Sequence, residues 1–286
     1  MFALPDTLDL MGWNVPTLAL QIPIGTALAL AIGLISLRAR FLTVSGVIAL
    51  GFIGFTTFGL GGIAWAIPIF AFFLPSSVIT RLGKARKQRL NQLHAKGGKR
   101  DAGQVLANGG VAGALALLWF VWQEPALYFA YVASLGAAAA DTWSAELGVL
   151  SAEHPRLITT WHKVDAGISG GVTAFGTLGG LLGASVVFVA ALPFAGALGS
   201  WQAYMAILGC ALGGNIVDSL LGATAQEKRR CTVCAGATER LEHCGCGTEH
   251  AGGIPGFGND WVNLICTAVG AGLGMLAFGW MANLTP

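Results

Sequence analysis

Hydrophobic residues run in long stretches along this chain, and polar ones interrupt them at few places. Apolar segments fall at about 17–37, 41–60, 62–80, 103–122, 125–143, 168–192, 201–222 and 261–281. Each is close to the ~20 residues that a helix needs to cross a ~30 Å hydrocarbon core. The pattern predicts an all-α, polytopic integral membrane bundle of about eight transmembrane helices. Gly54, Gly59, Gly61 and Gly62 blur the boundary between the second segment and the third.

The basic residues orient the bundle. All sixteen lysines and arginines lie in Arg38–Arg40, Arg81–Arg100, Arg156–Lys163 and Lys228–Arg240. Eight spans put every cluster on one face, and short loops rich in Lys and Arg stay cytoplasmic. The opposite face receives Asp6, Asp9, Glu124 and the 193–200 turn, with both termini outside. Residues 1–286 then form a single integral domain with cytoplasmic excursions at 81–102, 144–166 and 223–259. A chain 55% hydrophobic and 10% charged is no ordinary soluble domain. The bilayer is its expected surrounding, the cell inner membrane its expected location, and nucleic acid is not an expected partner. Two aspartates and no basic residue near the start argue against a secretory signal peptide. GFTTFGLGG at Gly54–Gly62 echoes GVTAFGTLGG at Gly171–Gly180, but at another depth, so no internal repeat is expected.

Intramembrane polar groups are costly and mark function or helix contacts. Here they gather at the cytoplasmic ends of several spans. In the fourth, Asp101, Gln104 and Asn108 share a helix face. Asp101 with Gln104 resembles a capping box; Asn108, two turns deeper, needs another reason. The fifth span ends with Asp141 and Glu146, carboxylates that could hold a hard cation such as Mg²⁺. Positions five apart point about 140° away from each other on a helix of ~3.6 residues per turn. A shared site therefore needs a helix break, or the two play different roles. Trp143 as an interface anchor with Glu146 merely solvated is the alternative.

The sixth span opens with Ser169, Gly170, Gly171 and Thr173, expected at a helix N-terminus, where free N–H groups favour phosphate. Gly176/Gly180 and Gly179/Gly183 have the spacing of close helix packing. The seventh carries a polar stripe of Asn215, Asp218, Ser219, Gly222 and Gln226. In the eighth, Asn259 and Asn263 share a face, and Asn259 or Asp260 could cap the helix. Arg100, Arg156 and Lys163 supply cations. Asp101, Asp141, Glu146 and Asp218 supply metal-binding carboxylates. Phosphoryl transfer needs such positioning and charge neutralisation more than covalent chemistry.

The last loop holds Cys231-x2-Cys234 and Cys244-x-Cys246 with His243 and His250. Disulfides are not expected in a reducing compartment. Cys231, Cys234 and Cys244, completed by Cys246 or His243, form a structural zinc pattern. Cys210 and Cys266 lie within spans as packing residues.

Taken in order, Arg100-Asp101…Gln104…Asn108-Gly-Gly, Asp141-Thr-Trp…Glu146, Pro155-Arg-Leu-Ile-Thr-Thr160, Gly170-Gly-Val-Thr…Gly-Thr-Leu, Asp218-Ser-Leu-Leu-Gly-Ala…Gln226 and Asn259-Asp…Asn263 resemble one family. It is the membrane family that includes transmembrane protein 19 and the plant phytyl-phosphate kinases, and the resemblance covers residues 40–280. It implies a membrane kinase that moves the γ-phosphoryl of a nucleoside triphosphate, CTP being a candidate, onto an isoprenyl monophosphate. The cysteine-rich loop departs from the plant pattern and resembles an insertion in prokaryotic relatives. A cytidylyltransferase on a lipid phosphate would share the metal, lipid and membrane but release pyrophosphate. A transporter of an anionic or prenyl compound would carry polar groups into the outer half of its spans, where this chain has few. Oligomeric state is not legible.

Overall fold

The computed structural model describes residues 7–10, 13–81, 99–194 and 199–283. Asp6, most of the expected 81–102 excursion and the middle of the 193–200 turn lie outside the described residues.

Eight helical segments stand where the eight apolar segments were expected. They are α1 (Thr17–Arg38), α2 (Val44–Gly54, running on as a π-helical turn over Phe55–Leu60), α3 (Ile63–Ile79) and α4 (Ala102–Trp122). They continue with α5 (Pro125–Gly148), α6 (Ala174–Ala191, extended by a 3-10 turn over Leu192–Phe194), α7 (Trp201–Thr224) and α8 (Asn259–Ala282). By length and composition α1, α4, α6 with its extension, α7 and α8 could each cross a membrane, while α2 and α3 are apolar but shorter. Gly62, at φ +75°, makes the break between α2 and α3 that the sequence left blurred.

Hydroxyl and carboxyl side chains start the helices. Thr43, Asp101, Thr173 and Ser200 each accept a hydrogen bond from the backbone N–H three residues on. Such a cap satisfies one of the four orphan donors of a helix start and contributes ~1 kcal/mol. Pro125 begins α5, where its missing N–H costs nothing.

Helix α5 is the axis of the bundle. Every residue from Leu127 to Ala140 is buried, with α3, α4, α6, α7 and α8 packed around it. Small residues allow this. A Cβ on Gly176, Gly180 or Gly183 of α6 would lie 2.7, 2.8 or 2.9 Å from the carbonyl oxygens of Ser144, Ala140 and Ala139. On α8, a Cβ at Gly270 or Gly274 would come 2.7 Å from that of Ala137 or Ala133. The glycine spacing of α6 thus serves close packing, since backbones approach only where side chains are small.

Alternating helix direction brings the C-terminal ends of α5 and α7 together with the N-terminal ends of α4, α6 and α8. Gly148 lies against Thr173, and Gly170 against the carbonyl of Ser219. The α1–α2 link joins them through backbone bonds from Arg100 to Phe41 and from Thr43 to Arg100, 2.8 and 3.0 Å. Arg81 donates to the Ala39 carbonyl and stacks on Phe41, 3.5 Å from the ring centroid. Described members of all four basic clusters therefore share one end of the bundle, called the basic end below.

Strands appear where loops were expected. A hairpin, β1 (Thr7–Leu10) with β2 (Trp13–Pro16), precedes α1. Short β3 (Arg156–Leu157) pairs antiparallel with β4 (Gly171–Val172) between α5 and α6. Between α7 and α8 lies a four-stranded ribbon of β5 (Lys228–Cys231), β6 (Ala237–Thr238), β7 (Glu242–His243) and β8 (Cys246–Gly252), in the order β6-β5-β8-β7. One expectation changes with this and another holds. The sixth helix starts at Ala174, so Ser169, Gly170 and Gly171 precede it in a turn and a strand. Gly54–Gly62 ends one helix whereas Gly171–Gly180 begins another, so the two similar strings have no common structure.

Candidate functional site

Four helices contribute to a polar chain inside the basic end. Asp141 of α5 and Asp218 of α7 are in side-chain hydrogen-bonding contact. With its amide oriented to suit its neighbours, Asn263 of α8 donates to Asp218 Oδ2 at 3.3 Å and to the Asn259 carbonyl at 3.1 Å, and accepts from Asn108 Nδ2 at 3.3 Å. Asn108 of α4 also donates to the Gln104 carbonyl at 2.9 Å. Two carboxylates so close repel each other unless a proton or a cation lies between them. Cys266 of α8 lies near enough to feel both charges.

Asp141 and Glu146 have different main partners, although Glu146 also acts electrostatically on Asp141. Helix α5 runs unbroken through both, and Asp141 meets Asp218 while Glu146 interacts electrostatically with Arg100. Arg100 is held by its backbone bonds to Phe41 and Thr43. Next to it, Asp101 caps α4 through Gln104 N–H at 3.0 Å. The Gln104 side-chain oxygen is buried without a partner, so the reciprocal half of a capping box is not formed. Trp143 is no interface anchor: it is buried and its Nε1 donates to Ser76 Oγ of α3 at 3.0 Å.

The stripe on α7 divides in two. Asn215 donates to Ser144 Oγ of α5 at 2.9 Å, and Asp218 faces Asp141. Lower down, the Ser219 carbonyl and Gly222 pack against the turn at Gly170. Gly170 adopts φ +83°, and a Cβ there would meet Ala223 at 2.6 Å. Only glycine fits both the left-handed backbone and the contact. Gln226, 2% exposed, donates to Glu239 Oε1 at 2.8 Å, and Ser169 Oγ donates to the same oxygen at 2.8 Å.

Other expected site residues fall elsewhere. Arg156 and Lys163 are exposed and face each other across a backbone bridge; Arg156 Nη1 donates to the Trp161 carbonyl at 2.9 Å. That guanidinium serves its own loop. Thr173 caps α6, so its hydroxyl accepts from Gly176 N–H at 2.9 Å. Neither Asn259 nor Asp260 caps α8. The cap position is Gly258, with no side-chain bond, and Asn259 is exposed.

The ribbon gathers Cys231, Cys234, His243 and Cys244, whose donor atoms all lie within 4.8 Å of one another. Cys246 is outside this group, so His243 is the fourth member. His243 Nδ1 is 3.6 Å from Cys234 Sγ and 3.2 Å from Cys244 Sγ. Donors ~2.1–2.3 Å from a tetrahedral zinc lie roughly 3.5–3.8 Å apart, so the four groups fit that ion with small adjustment. Backbone N–H groups of Cys234 and Val233 point at Cys231 Sγ from 3.5 and 3.4 Å. The Cys234 N–H, foremost, brings the Cys231 thiol down to about 6. The Cys234 thiol beside it, foremost, pushes Cys244 up to about 11.

Sequence reasoning missed Glu239, Ser144 and Thr267, whose hydroxyl joins α8 to the Ala107 carbonyl of α4 at 3.1 Å. Thr267 continues the Asn259–Asn263 face at the next turn, so helical spacing could have found it. Glu239 sits in a connection without periodicity, and nothing local marks it.

The integral membrane protein family DUF92 matches residues 27–271, which include every candidate residue named above. An uncharacterized membrane protein of Methanocaldococcus jannaschii is 32% identical over 246 residues, covering 84% of this chain and 87% of the relative. Protein PGR of Arabidopsis thaliana is 34% identical over 221 residues, 69% of this chain and 76% of the relative. Protein VTE6, chloroplastic, of the same plant is 26% identical over 193 residues, 65% of this chain and 57% of the relative. No solved structure matches.

Proposed function

The chain belongs to the DUF92 integral membrane family, and on that premise we propose that it transfers the γ-phosphoryl group of a nucleoside triphosphate to an isoprenyl monophosphate. The observation that carries this reading is the meeting of Asp141, Asp218, Asn263 and Asn108 from four helices at one end of an otherwise apolar bundle. Beside them stand Arg100, Glu146 and the starts of α4, α6 and α8. The motif resemblance to the plant phytyl-phosphate kinases supplies the substrate class, with CTP as the first donor to test.

In this reading the basic end faces the cytoplasm, as its lysines and arginines favour. Asp141 and Asp218 would hold Mg²⁺, whose charge would supply electrostatic stabilisation to phosphoryl transfer. Asn108 and Asn263 orient Asp218. Helix starts at Ala102, Ala174 and Asn259 direct N–H dipoles at the triphosphate chain. Arg100, steered by Glu146, offsets charge on the leaving diphosphate. A phosphate monoester is already anionic, so the nucleophile needs no strong base. An apolar groove lined by Ser45, Ile48, Ala49, Phe52, Ala102 and Leu106 opens beside the Asp101 cap and suits a hydrocarbon tail. Cys231, Cys234, His243 and Cys244 would hold a structural zinc, because four protein ligands leave no position for water.

Labelled nucleotide tests the reaction class. With purified protein, Mg²⁺ and phytyl or geranylgeranyl phosphate, γ-label from CTP enters the lipid and α-label stays in CDP. Alpha-label in the lipid with pyrophosphate released would make the protein a cytidylyltransferase. Movement of substrate across a sealed vesicle with neither label transferred would make it a transporter.

A further inference from the structure

One side chain of the cysteine ribbon sits between two polar groups at the end of the helical bundle. Glu239 lies between β6 and β7, and its Oε1 accepts from Ser169 Oγ and from Gln226 Nε2, each at 2.8 Å. Ser169 leads into the turn at Gly170, which packs against the Ser219 carbonyl and Ala223 and reaches the α6 cap at Thr173. Gln226 follows the last turn of α7, eight positions below Asp218. One carboxylate therefore joins the turn before α6 to the end of α7.

The ribbon fixes that carboxylate in turn. Arg240 N–H donates to Thr238 Oγ1 at 3.1 Å, and the Arg240 carbonyl accepts from Thr248 Oγ1 at 2.5 Å. Arg229 Nε donates to the same Thr248 hydroxyl at 2.8 Å. These bonds hold both neighbours of Glu239 across β5, β6 and β8. The ribbon has little core of its own, because Val233 and Leu241 are 63% and 70% exposed. Lys228–Gly252 is also far shorter than the ~40 residues below which a unit needs a metal or cross-links to fold. A metal held by Cys231, Cys234, His243 and Cys244 supplies the missing constraint, and it ties β5 to β7 on either side of the connection that carries Glu239.

We propose that Glu239 is a positioning residue through which metal binding in the ribbon sets the place of the 167–173 turn and of Gln226. The proposal deepens the kinase reading, since that turn is where a phosphate would meet the start of α6. Its deciding test, amide exchange, needs no substrate, so it stands or falls apart from the reaction assigned above.

Hydrogen–deuterium exchange on the purified full chain in detergent is the measurement. Glu239→Ala removes both bonds, and exchange of the amides of 167–173 then rises on the order of tenfold. Glu239→Gln keeps an acceptor oxygen and stays close to the parent chain, which also controls for folding. Stripping metal from the parent chain with a chelator raises exchange in 231–247 and in 167–173 together. In Glu239→Ala the chelator loosens 231–247 but adds nothing to 167–173. Unchanged exchange of 167–173 in Glu239→Ala would overturn the proposal. So would an equal response of 167–173 to the chelator with and without Glu239. In the label-transfer assay, Glu239→Ala raises KM for the phosphate substrate several-fold and leaves kcat near its parent value.

Discussion

The two ends of helix α5 solve the problem of buried polar groups in opposite ways. Near its start, Tyr128 and Tyr131 turn their hydroxyls onto the carbonyls of Ala64 and Trp65 of α3. Their rings pack on each other and on Trp65, which in turn packs on Trp119, at centroid distances of 4.5–5.9 Å. Each tyrosine hydroxyl there is answered by a backbone oxygen, the indole N–H groups of Trp65 and Trp119 are buried without a partner, and among the described residues no charged side chain enters the cluster. At the basic end Asp141 faces another carboxyl, and Asn263 and Asn108 extend the line across two more helices. Buried polar groups that satisfy one another in pairs hold helices together. A convergent set with two adjacent carboxyls needs a shared proton or a cation between them. On the proposed reading the aromatic end packs helices together and the basic end is the site.

The largest expected effect separates the ends by function. Asp141→Asn and Asp218→Asn each lower Mg²⁺-dependent phosphoryl transfer on the order of 1,000-fold, as loss of several kcal/mol of metal stabilisation requires. Tyr131→Phe leaves turnover unchanged. Near-normal turnover in both aspartate variants would remove the distinction.

Stability should separate them the other way. Trp65→Ala empties the centre of the aromatic end and costs ~3–5 kcal/mol. Thermal unfolding in detergent should show a clear fall in Tm, with label transfer per folded molecule retained. A variant of normal stability and poor activity would mean that the aromatic end takes part in the reaction.

Within the basic end, Asn108→Ala and Asn263→Ala act through Asp218 and lower activity by about 10–100-fold. Higher Mg²⁺ should partly restore the rate in both, which a purely structural loss would not allow.

The smallest effect concerns the ribbon. Zinc binds thiolates, and Cys244, held up to about 11, carries its proton at neutral pH, whereas Cys231, at about 6, has largely lost its own. Zinc uptake therefore releases protons, Cys244 foremost. Apparent affinity should rise with pH through the neutral range, by roughly tenfold per unit for each proton released. Calorimetry in buffers of different ionisation enthalpy reads this, and pH-independent binding would exclude Cys244 as a ligand.

The basic end of this contrast was legible in the sequence, and the aromatic end was not singled out. Long apolar runs gave the helices because a hydrocarbon environment leaves backbone groups no partners except their own helix. Asp141, Asp218, Asn108 and Asn263 stood out because charge and amide are expensive in such runs. The start of α6 was misjudged since Ser169-Gly170-Gly171 is apolar enough to extend a span, while Gly170 at φ +83° forces a turn. Arg156 was assigned to the site on its charge and on the motif Pro155–Thr160, and its bond to the Trp161 carbonyl depends on a loop without periodicity. Glu239 was missed for the same reason: its partners, Ser169 and Gln226, lie 70 and 13 positions away.

Manganese binding tests the central claim most directly, because Mn²⁺ replaces Mg²⁺ at oxygen ligands and gives an electron paramagnetic resonance signal. With the ribbon loaded with zinc, the parent chain should take up Mn²⁺ in the presence of CTP. Asp141→Asn and Asp218→Asn should each abolish that uptake, and Tyr131→Phe should preserve it. Equal Mn²⁺ binding by the parent chain and both aspartate variants would contradict the assignment of a cation site to Asp141 and Asp218.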